Sequence, residues 1–358
     1  MTPDRRHFLT SLARLGLVLP GGEALAQGFA GLGRTAEGFE TPKPGKVLVF
    51  PQDHGGHPKF RTEWWYLTAN LEGDDGAAYG AQWTLFRQAQ RPGPQPQGWA
   101  NPQIFMGHAA ATSANAHEFA QTSARGGVGA ADVTVPPFRA FIDDWRFDAE
   151  AGGDGLAKAR VLARSPLFSF DLDIEADGPL LLHGDAGYSR KSAAGQASFY
   201  VSQPHLEVAG ALALHGALRK VRGRAWMDHE WSSQPLAAGQ KGWDWFALHL
   251  PNNEKLMLFR LRSDDAPPFL SGTFAGASGA ARPLGPVDFT LTPLSETRIA
   301  GRVIPTRWRI GAPALGLDIE TQPLNPACWN ASTFAYWEGP LRFSGSHAGV
   351  GYLEMTGY

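Results

Sequence analysis

The segment Glu63-Trp64-Trp65-Tyr66-Leu67-Thr68-Ala69-Asn70-Leu71-Glu72-Gly73-Asp74-Asp75-Gly76 decides the fold class. Apolar residues at positions 65, 67, 69 and 71 alternate with the residues at 66, 68 and 70. Alternation with a period of two places the apolar side chains on one face of a β-strand. The Gly and Asp residues at 72–76 then reverse the chain, and residues 79–86 return as the partner strand. The pattern predicts an antiparallel hairpin.

Short segments of the same kind recur along the chain and are separated by clusters of Gly, Pro, Asn and Asp. They include residues 168–174, 197–201, 256–261, 287–291 and 351–355. No helical period of useful length follows residue 27. The sequence therefore predicts an all-β protein, either a sandwich or a barrel.

The composition and charge of the chain indicate which kinds of protein it can be. The chain has 358 residues, enough for two ordinary domains, and its formal net charge of -2 argues against nucleic acid or an anionic membrane as the main partner. A single cysteine, Cys328, makes an intramolecular disulfide impossible. The core must hold the fold by itself, and 12 Trp and 21 Phe supply the apolar area for it.

The N-terminal residues resemble an export signal. Arg5 and Arg6 precede an apolar stretch at 12–19, and Ala24-Leu25-Ala26 offers a cleavage site before Gln27. The apolar stretch is too short to span a bilayer. We therefore expect a twin-arginine signal peptide at 1–26, a flexible lead at 27–44 and a periplasmic mature protein.

One pattern occurs twice in the chain. A carboxylate followed by aromatic residues starts each copy, and a Leu-Phe-Arg triplet follows: Glu63 to Leu67 with Leu85-Phe86-Arg87, and Asp244 to Leu248 with Leu258-Phe259-Arg260. An Asp-His pair precedes each copy, Asp53-His54 and Asp228-His229. The repeat predicts two related β-domains at 45–225 and 226–358, with chance repetition in a Trp-rich chain as the alternative.

Most catalytic signatures are absent from the sequence. There is no Gly-x-Ser-x-Gly, no HExxH helix, no Cys-x-x-Cys and no phosphate-binding Gly-rich loop, which excludes a nucleotide enzyme and disfavours a hydrolase. His54 and His57, with Asp53, could bind a metal, but a structural loop is the more common role of such a Gly-rich segment. We predict neither a metal nor a cofactor.

Carboxylates, histidines and indoles lie close together in three segments. On extended strands Glu63 shares a face with Trp65, and Asp244 shares one with Phe246. A carboxyl group on an apolar face has a raised pKa and can serve as a general acid, while Trp rings can stabilise a carbocation. Capping of a barrel end is the structural alternative, favoured for residues 63–66 and left open for 228–244. The candidate ligand-binding residues are Glu63, Trp65, Tyr66, His108, Trp243, Trp245 and His249.

Four segments carry a family resemblance: residues 60–66, residues 226–232, residues 242–245, and the end of the chain at 336–340 with 351–358. They resemble the lipocalin-like family that includes the carotenoid hydratases and the AttH proteins, with fungal decalin-forming cyclases as more distant members. The resemblance implies two calycin-type, lipocalin-like antiparallel β-barrels in tandem and an apolar polyene or lipid-like ligand.

The resemblance also implies site residues. In the hydratases a His and a Trp of the second segment carry the chemistry, and they match His229 and Trp231. An acid and a Tyr come from the following strand, where this chain has Asp244 and no tyrosine. The predicted catalytic residues are therefore Asp244, His229 and Trp231, and the chain is more similar to AttH.

Two functions are consistent with these observations. The first is an exported protein that binds an apolar small molecule and hydrates a carbon–carbon double bond. The second is a carrier or accessory protein without catalysis, which works with an envelope transport partner of the ABC type. A secreted hydrolase is the third.

Overall fold

The computed structural model describes residues 29–150, 156–237 and 239–358. The segment predicted to be a signal peptide, 1–26, lies outside the described residues. Within these ranges, no helix combines the length and the apolar character needed to cross a membrane. Short 3-10 helices precede the first strand at Phe29–Gly31 and Gln52–His54, and others lie between strands at Gly98–Ala100, Pro251–Asn253 and Pro313–Leu315.

Among the described residues, the first sheet contains thirteen strands and begins with the hairpin predicted from residues 63–86. They are β1 Thr62–Gly73, β2 Ala78–Ala89, β3 Gln103–Ser113, β4 His117–Arg125, β5 Ala131–Thr134, β6 Arg139–Ile142, β7 Trp145–Ala149, β8 Lys158–Arg164, β9 Phe168–Ala176, β10 Leu181–Leu182, β11 Tyr188–Arg190, β12 Ala197–Leu214 and β13 Ala217–Ser232. Their spatial order is β4-β3-β2-β1-β13-β12-β9-β8-β7-β6-β5, and β10 and β11 pair with β12. The sheet curls until β6 packs against β3 and β4.

The second sheet repeats this antiparallel design. Its strands are β14 Gln240–His249, β15 Lys255–Ser263, β16 Phe269–Ala275, β17 Ala281–Leu284, β18 Thr290–Ile299, β19 Arg302–Ala312, β20 Leu317–Pro323, β21 Trp329–Asn330, β22 Tyr336–Gly345 and β23 Gly349–Met355. They are ordered β17-β16-β15-β14-β23-β22-β20-β19-β18, and β21 pairs with β22. The two curled sheets form two barrels, which confirms the predicted all-β class.

Alternation along the strands fills each barrel. In β1, Trp65 and Leu67 are fully buried in the core of the first barrel, and in β14 Phe246 and Leu248 lie in the core of the second. A large apolar side chain contributes roughly 1.5–3 kcal/mol when it is fully buried. The faces predicted from the sequence are therefore the observed ones.

The repeated pattern corresponds to equivalent hairpins. Glu63 of β1 lies opposite Arg87 of β2, and Asp244 of β14 lies opposite Arg260 of β15. Both pairs are ion pairs, with N···O distances of 2.8 Å and 2.7 Å. Each barrel thus begins with a strand whose buried carboxylate binds an arginine on the next strand.

The upstream part of the pattern is not equivalent in the two copies. Asp53 and His54 precede β1 in a 3-10 helix, whereas Asp228 lies within β13. β13 pairs with β1 from Val221 to Ser232, so the boundary predicted before Trp226 falls inside a continuous strand. The chain passes from the first sheet to the second between Ser232 and Gln240.

The outer faces of the two first strands meet between the barrels. Tyr66 of β1 and Trp245 of β14 pack edge to face, with ring centroids 5.3 Å apart. Asn70 donates a hydrogen bond to the Gly351 carbonyl across the interface at 2.9 Å. This contact between barrels, rather than the interior of either one, positions the site described next.

Candidate functional site

A cavity of about 170 Å³ lies between the barrels, and both contribute to its wall. The outward-facing side chains of β1, β12, β14 and β15 supply much of the aromatic lining. Its aromatic residues include Trp64, Tyr66, Tyr200, Trp243, Trp245 and Phe259. An apolar cavity with a few polar groups is the usual form of a small-molecule site.

Asp228 of β13 borders this cavity and is held by three donors. Tyr200 donates to Oδ2 at 2.6 Å, Trp226 Nε1 donates to Oδ1 at 2.6 Å, and the Ser202 hydroxyl also donates to Oδ1. Burial raises the pKa of Asp228 to about 7, although these hydrogen bonds favour the carboxylate. The group therefore exists in both protonation states near neutral pH.

Glu354 of β23 is a second carboxyl group on the cavity wall. Trp243 Nε1 donates a hydrogen bond to its Oε1 at 2.5 Å. Burial raises the pKa of Glu354 to about 7, and repulsion from Asp228 and Glu230 acts in the same direction. Because Asp228 and Glu354 repel each other, ionisation of one favours the protonated form of the other.

A third carboxyl group lies behind this pair. Tyr66 donates a hydrogen bond to Glu338 Oε1 at 2.5 Å, and Asn330 donates to Oε2 at 3.2 Å. Burial, followed by repulsion from Glu354, raises the pKa of Glu338 well above its usual value. Glu338 therefore fixes the Tyr66 ring at the cavity wall by accepting its hydroxyl hydrogen bond.

An ion pair forms another part of the wall. Lys191 Nζ lies 2.8 Å from Glu230 Oε1, and both side chains are almost fully buried. The ammonium group also lies over the rings of Tyr200 and Phe259, 4.7 Å and 4.5 Å from their centroids. Since Tyr200 belongs to the first barrel and Phe259 to the second, Lys191 lies at the junction of the two.

His108 of β3 is one of the predicted residues that does line the cavity. Its Nδ1 lies 2.9 Å from the Tyr336 hydroxyl, and the two rings are stacked. Burial lowers the pKa of His108 to about 4, so the imidazole is neutral at pH 7. It can orient Tyr336 but is not a source of protons at that pH.

The predicted ligand-binding residues divide between this cavity, the interior of the first barrel and the contact between barrels. Tyr66, His108, Trp243 and Trp245 line the cavity together. Trp65 faces the interior of the first barrel, where its Nε1 donates to the His54 carbonyl. The division follows from the strand period of two, because neighbours on one strand point to opposite sides of the sheet.

Asp244, predicted to be catalytic, lies inside the second barrel. Arg260 Nε donates to its Oδ2 at 2.7 Å and the Tyr358 hydroxyl donates to its Oδ1 at 2.6 Å. Trp243 and Trp245 point the other way, into the cavity. The structure therefore does not bring Asp244 together with His229, which belongs to the first barrel.

His229 and Trp231 belong to a buried network around Glu63. Glu63 borders the cavity, but its carboxylate binds His57 Nδ1 at 2.6 Å, His229 Nε2 at 2.9 Å and Arg87 Nε at 2.8 Å. Burial opposes ionisation, yet Arg87 and His57 hold the pKa of Glu63 well below its usual range. The Trp231 ring stacks on His57 at 3.8 Å between centroids.

This network is the described group that comes nearest to a metal centre. The candidate ligand atoms of His57, Glu63 and His229 lie within 4.8 Å of one another. Each of these residues already has a hydrogen-bonding partner. Burial alone would lower the pKa of His57, but its two partners, Glu63 and Asp53, raise it. A metal ion bound here would have to replace a proton of His57 and would lie close to the positive charge of Arg87. We therefore interpret these residues as a network of hydrogen bonds and ion pairs, not as a metal site.

His249, the last predicted ligand-binding residue, lies away from the cavity. It is buried beside Trp226, with ring centroids 6.0 Å apart. Burial and repulsion from Lys255 lower the pKa of His249 well below its usual value. It is a neutral residue of the contact between barrels.

Several cavity residues were not among the predicted site residues, including Asp228, Glu230, Glu354, Tyr200 and Lys191. Asp228 and Glu230 belong to the segment 228–244, whose role the sequence left open. Two signals could have found some of them. Asp228 and Glu230 share the strand face opposite to His229, and Glu354 lies in the C-terminal segment that carries the family resemblance. Nothing local marks Tyr200 or Lys191.

Comparisons with known proteins agree with this architecture. The structure of a protein from Nitrosomonas europaea assigned to AttH matches with a TM-score of 0.80 and 33% identity, covering 89% of this chain and 99% of that one. Kievitone hydratase from Nectria haematococca matches with a TM-score of 0.67 and 17% identity, covering 90% and 98%. At that identity, the second match shows the fold alone. A comparison with curated protein sequences gave no match.

A family model described as AttH-like matches residues 41–358. This match and the structural neighbours confirm the resemblance found in the sequence and the lipocalin-like, hydratase-like fold of the two barrels. The chain belongs to the AttH-like family.

Proposed function

We propose that the chain binds an apolar small molecule in the cavity between its barrels and adds water to a carbon–carbon double bond of that molecule. One observation carries the proposal: aromatic rings and two carboxyl groups, Asp228 and Glu354, face the same cavity. Hydration needs an acid, a base and a surface that stabilises positive charge, and these groups supply all three.

The hydrogen bonds assign a role to each carboxyl group. Asp228 accepts from three donors, an arrangement that favours its ionised form. Glu354 accepts from Trp243 through Oε1. Glu354 is therefore the proton donor and Asp228 the acceptor, and a pKa of about 7 for each lets both states exist at neutral pH.

The reaction then proceeds in balanced steps. The O–H bond of Glu354 breaks as a C–H bond forms at one alkene carbon, which leaves a cation on the neighbouring carbon. The faces of Trp64 and Trp245 stabilise that cation. A water oxygen attacks it and gives its proton to Asp228, and this proton returns through water to Glu354 before the next cycle.

The test compares turnover with binding in three variants. Purified protein is incubated with trans-stilbene, retinol and lycopene in isotope-labelled water, and products are sought by mass spectrometry, while tryptophan quenching measures binding. We expect Glu354→Gln and Asp228→Asn to lose turnover by at least about 100-fold and to keep binding. Asp244→Asn, in the interior of the second barrel, should leave turnover unchanged.

A different pattern would contradict the proposal. Loss of turnover in Asp244→Asn with full activity in Glu354→Gln would move the chemistry into the second barrel. Absence of quenching by every compound, together with native mass spectra of an empty protein, would remove the ligand-binding function itself.

A carrier without catalysis is the second candidate function, and the hydrogen bonds that Asp228 accepts favour it. Each oxygen of this carboxyl group accepts a hydrogen bond from a protein donor, as expected for a group that only supports the wall. A carrier working with an envelope transporter would bind ligand, form no product, and lose affinity when Trp245 is changed to Ala.

The place of action proposed for either function is the periplasm. The support is the Arg5-Arg6 pair before an apolar segment. Arg5→Lys with Arg6→Lys should retain the protein in the cytoplasm, as measured by fractionation. Export of that double variant at the normal level would contradict the twin-arginine route.

A further inference from the structure

The buried ammonium group of Lys191 is a cavity feature that the hydration chemistry does not use. The residue lies in the turn between β11 and β12, where its N–H binds the Gln196 carbonyl and its carbonyl accepts from Gln240 Nε2. Its backbone is therefore fixed from both barrels, and its side chain is only 8% exposed. A rigidly held cation beside an apolar cavity is costly unless it has partners.

Those partners are incomplete. Among the described residues, the ammonium group has one carboxylate oxygen within ion-pair distance, that of Glu230 at 2.8 Å. The rings of Tyr200 and Phe259 interact with its charge but accept no conventional hydrogen bond. An ammonium group has three N–H donors. The site therefore has donor capacity to offer to a ligand in the cavity that Lys191 lines.

The charges around the cavity limit what that ligand can be. Glu230 balances Lys191, and Glu63 balances Arg87. Asp228 and Glu354 add two further acidic groups to the same wall. In the proposed reaction Asp228 is ionised, so a ligand with its own negative charge would be repelled by it, and the negative charge would also favour the protonated form of Glu354. A neutral oxygen with lone pairs meets no such repulsion, and a carbonyl suits a group that can only donate.

We infer that Lys191 selects ligands that carry a neutral acceptor oxygen, a carbonyl in particular, on an apolar ring or polyene frame. This inference rests on the proposed function, because it names the substrate class of the same cavity. An oxygen held at Lys191 also fixes the position of the frame between Tyr200 and Phe259. It thereby determines which alkene carbon faces Glu354.

Three naphthalene probes of nearly equal size test the inference on the full chain. They are 2-acetylnaphthalene, which carries a neutral carbonyl, 2-ethylnaphthalene, which has no oxygen, and 2-naphthoate, which is anionic. Calorimetry or tryptophan quenching gives each Kd. We expect the ketone to bind about tenfold more tightly than the hydrocarbon, the effect of one hydrogen bond to a charged donor, and the carboxylate to bind least well.

The variant for this test is Lys191→Met with Glu230→Gln, which removes both charges and leaves neither one buried alone. It should bind the ketone and the hydrocarbon within about twofold of each other. Lys158→Met is the matched control, since Lys158 is 54% exposed in a surface ion pair and should keep the tenfold preference. Wild-type data with the three probes test the inference even if the double variant does not fold.

The outcomes separate the inference from the proposed function. Equal binding of ketone and hydrocarbon by the wild type would overturn the role of Lys191 but leave an apolar site in place. Tightest binding of the naphthoate would overturn the argument from the carboxylates. Failure of all three probes to bind would overturn the proposed function, and the inference with it.

Discussion

Removal of the Glu63 carboxylate should destabilise the first barrel strongly. In the structure this group accepts four hydrogen bonds, from Arg87 Nε at 2.8 Å, the His57 backbone N–H at 2.8 Å, His57 Nδ1 at 2.6 Å and His229 Nε2 at 2.9 Å. Glu63→Ala would leave the Arg87 guanidinium, 3% exposed, without its counter-charge. Breaking a buried ion pair in this way costs about 3–5 kcal/mol, and we expect a loss of that size.

Urea unfolding followed by circular dichroism measures this loss, and two further variants calibrate it. Glu72→Ala breaks the exposed pair between Glu72 and Arg222, whose side chains are 59% and 81% exposed, and should cost less than about 1 kcal/mol. Glu63→Ala combined with Arg87→Met removes both charges. The double variant should recover part of the stability that Glu63→Ala loses, because no uncompensated charge remains.

The pH dependence of the same variant provides a second check. The folded protein lowers the pKa of Glu63, so its stabilisation is present above the unfolded pKa, about 4.3, and is lost as pH falls through the lower folded value. The difference between wild type and Glu63→Ala should therefore shrink in strong acid. A loss below about 1 kcal/mol at pH 7, or a double variant as unstable as the sum of the single ones, would refute the reasoning.

Three further predictions concern other residues. The folded protein raises the pKa of His57, so the stability that the protonated ring contributes is fully present below the unfolded pKa of about 6.5 and is lost as pH rises through the folded pKa. Denaturation at several pH values should therefore show that His57→Gln lowers the free energy of unfolding most in mild acid. For Asp228, the folded protein raises the pKa to about 7, whereas the unfolded value is about 3.9, so stability falls as pH rises from about 4 to about 7 and changes no further above that. The stability of Asp228→Asn relative to wild type should therefore increase over the same interval and be constant above about pH 7 in the same assay. A Cβ atom at Gly80 would lie 2.6 Å from Pro340 of the other barrel, so Gly80→Val should lower the Tm and speed proteolysis between barrels, whereas Gly56→Ala, which meets nothing within 4 Å, should not.

Local patterns predicted the fold more completely than they predicted the site. The faces of β1 and β14 are correct in the sequence analysis because alternation depends only on neighbouring residues. Glu63 and Trp65 do share the interior of one barrel, and Asp244 and Phe246 share that of the other. An apolar interior alone, however, does not show where a ligand binds.

The site was harder to predict because it lies on the outer faces. Whether the outer face of β14 meets solvent or another barrel depends on long-range packing, which no spacing in the sequence encodes. Trp243 and Trp245 were selected as ligand-binding residues, but they were grouped with Asp244, their neighbour on the chain. The structure groups them instead with Glu354, which is more than 100 residues distant.

The two sides of β13 have a consequence for how this family can change. His229 and Trp231 serve the ion network of the first barrel, while Asp228 and Glu230 face the cavity. Inserting or deleting one residue here would exchange the two sets, pushing acids into the core and imidazole into the ligand space. Substitutions in this segment can therefore be accepted during evolution, whereas insertions and deletions cannot. An alignment of functional relatives should show no gap between Trp226 and Ser232.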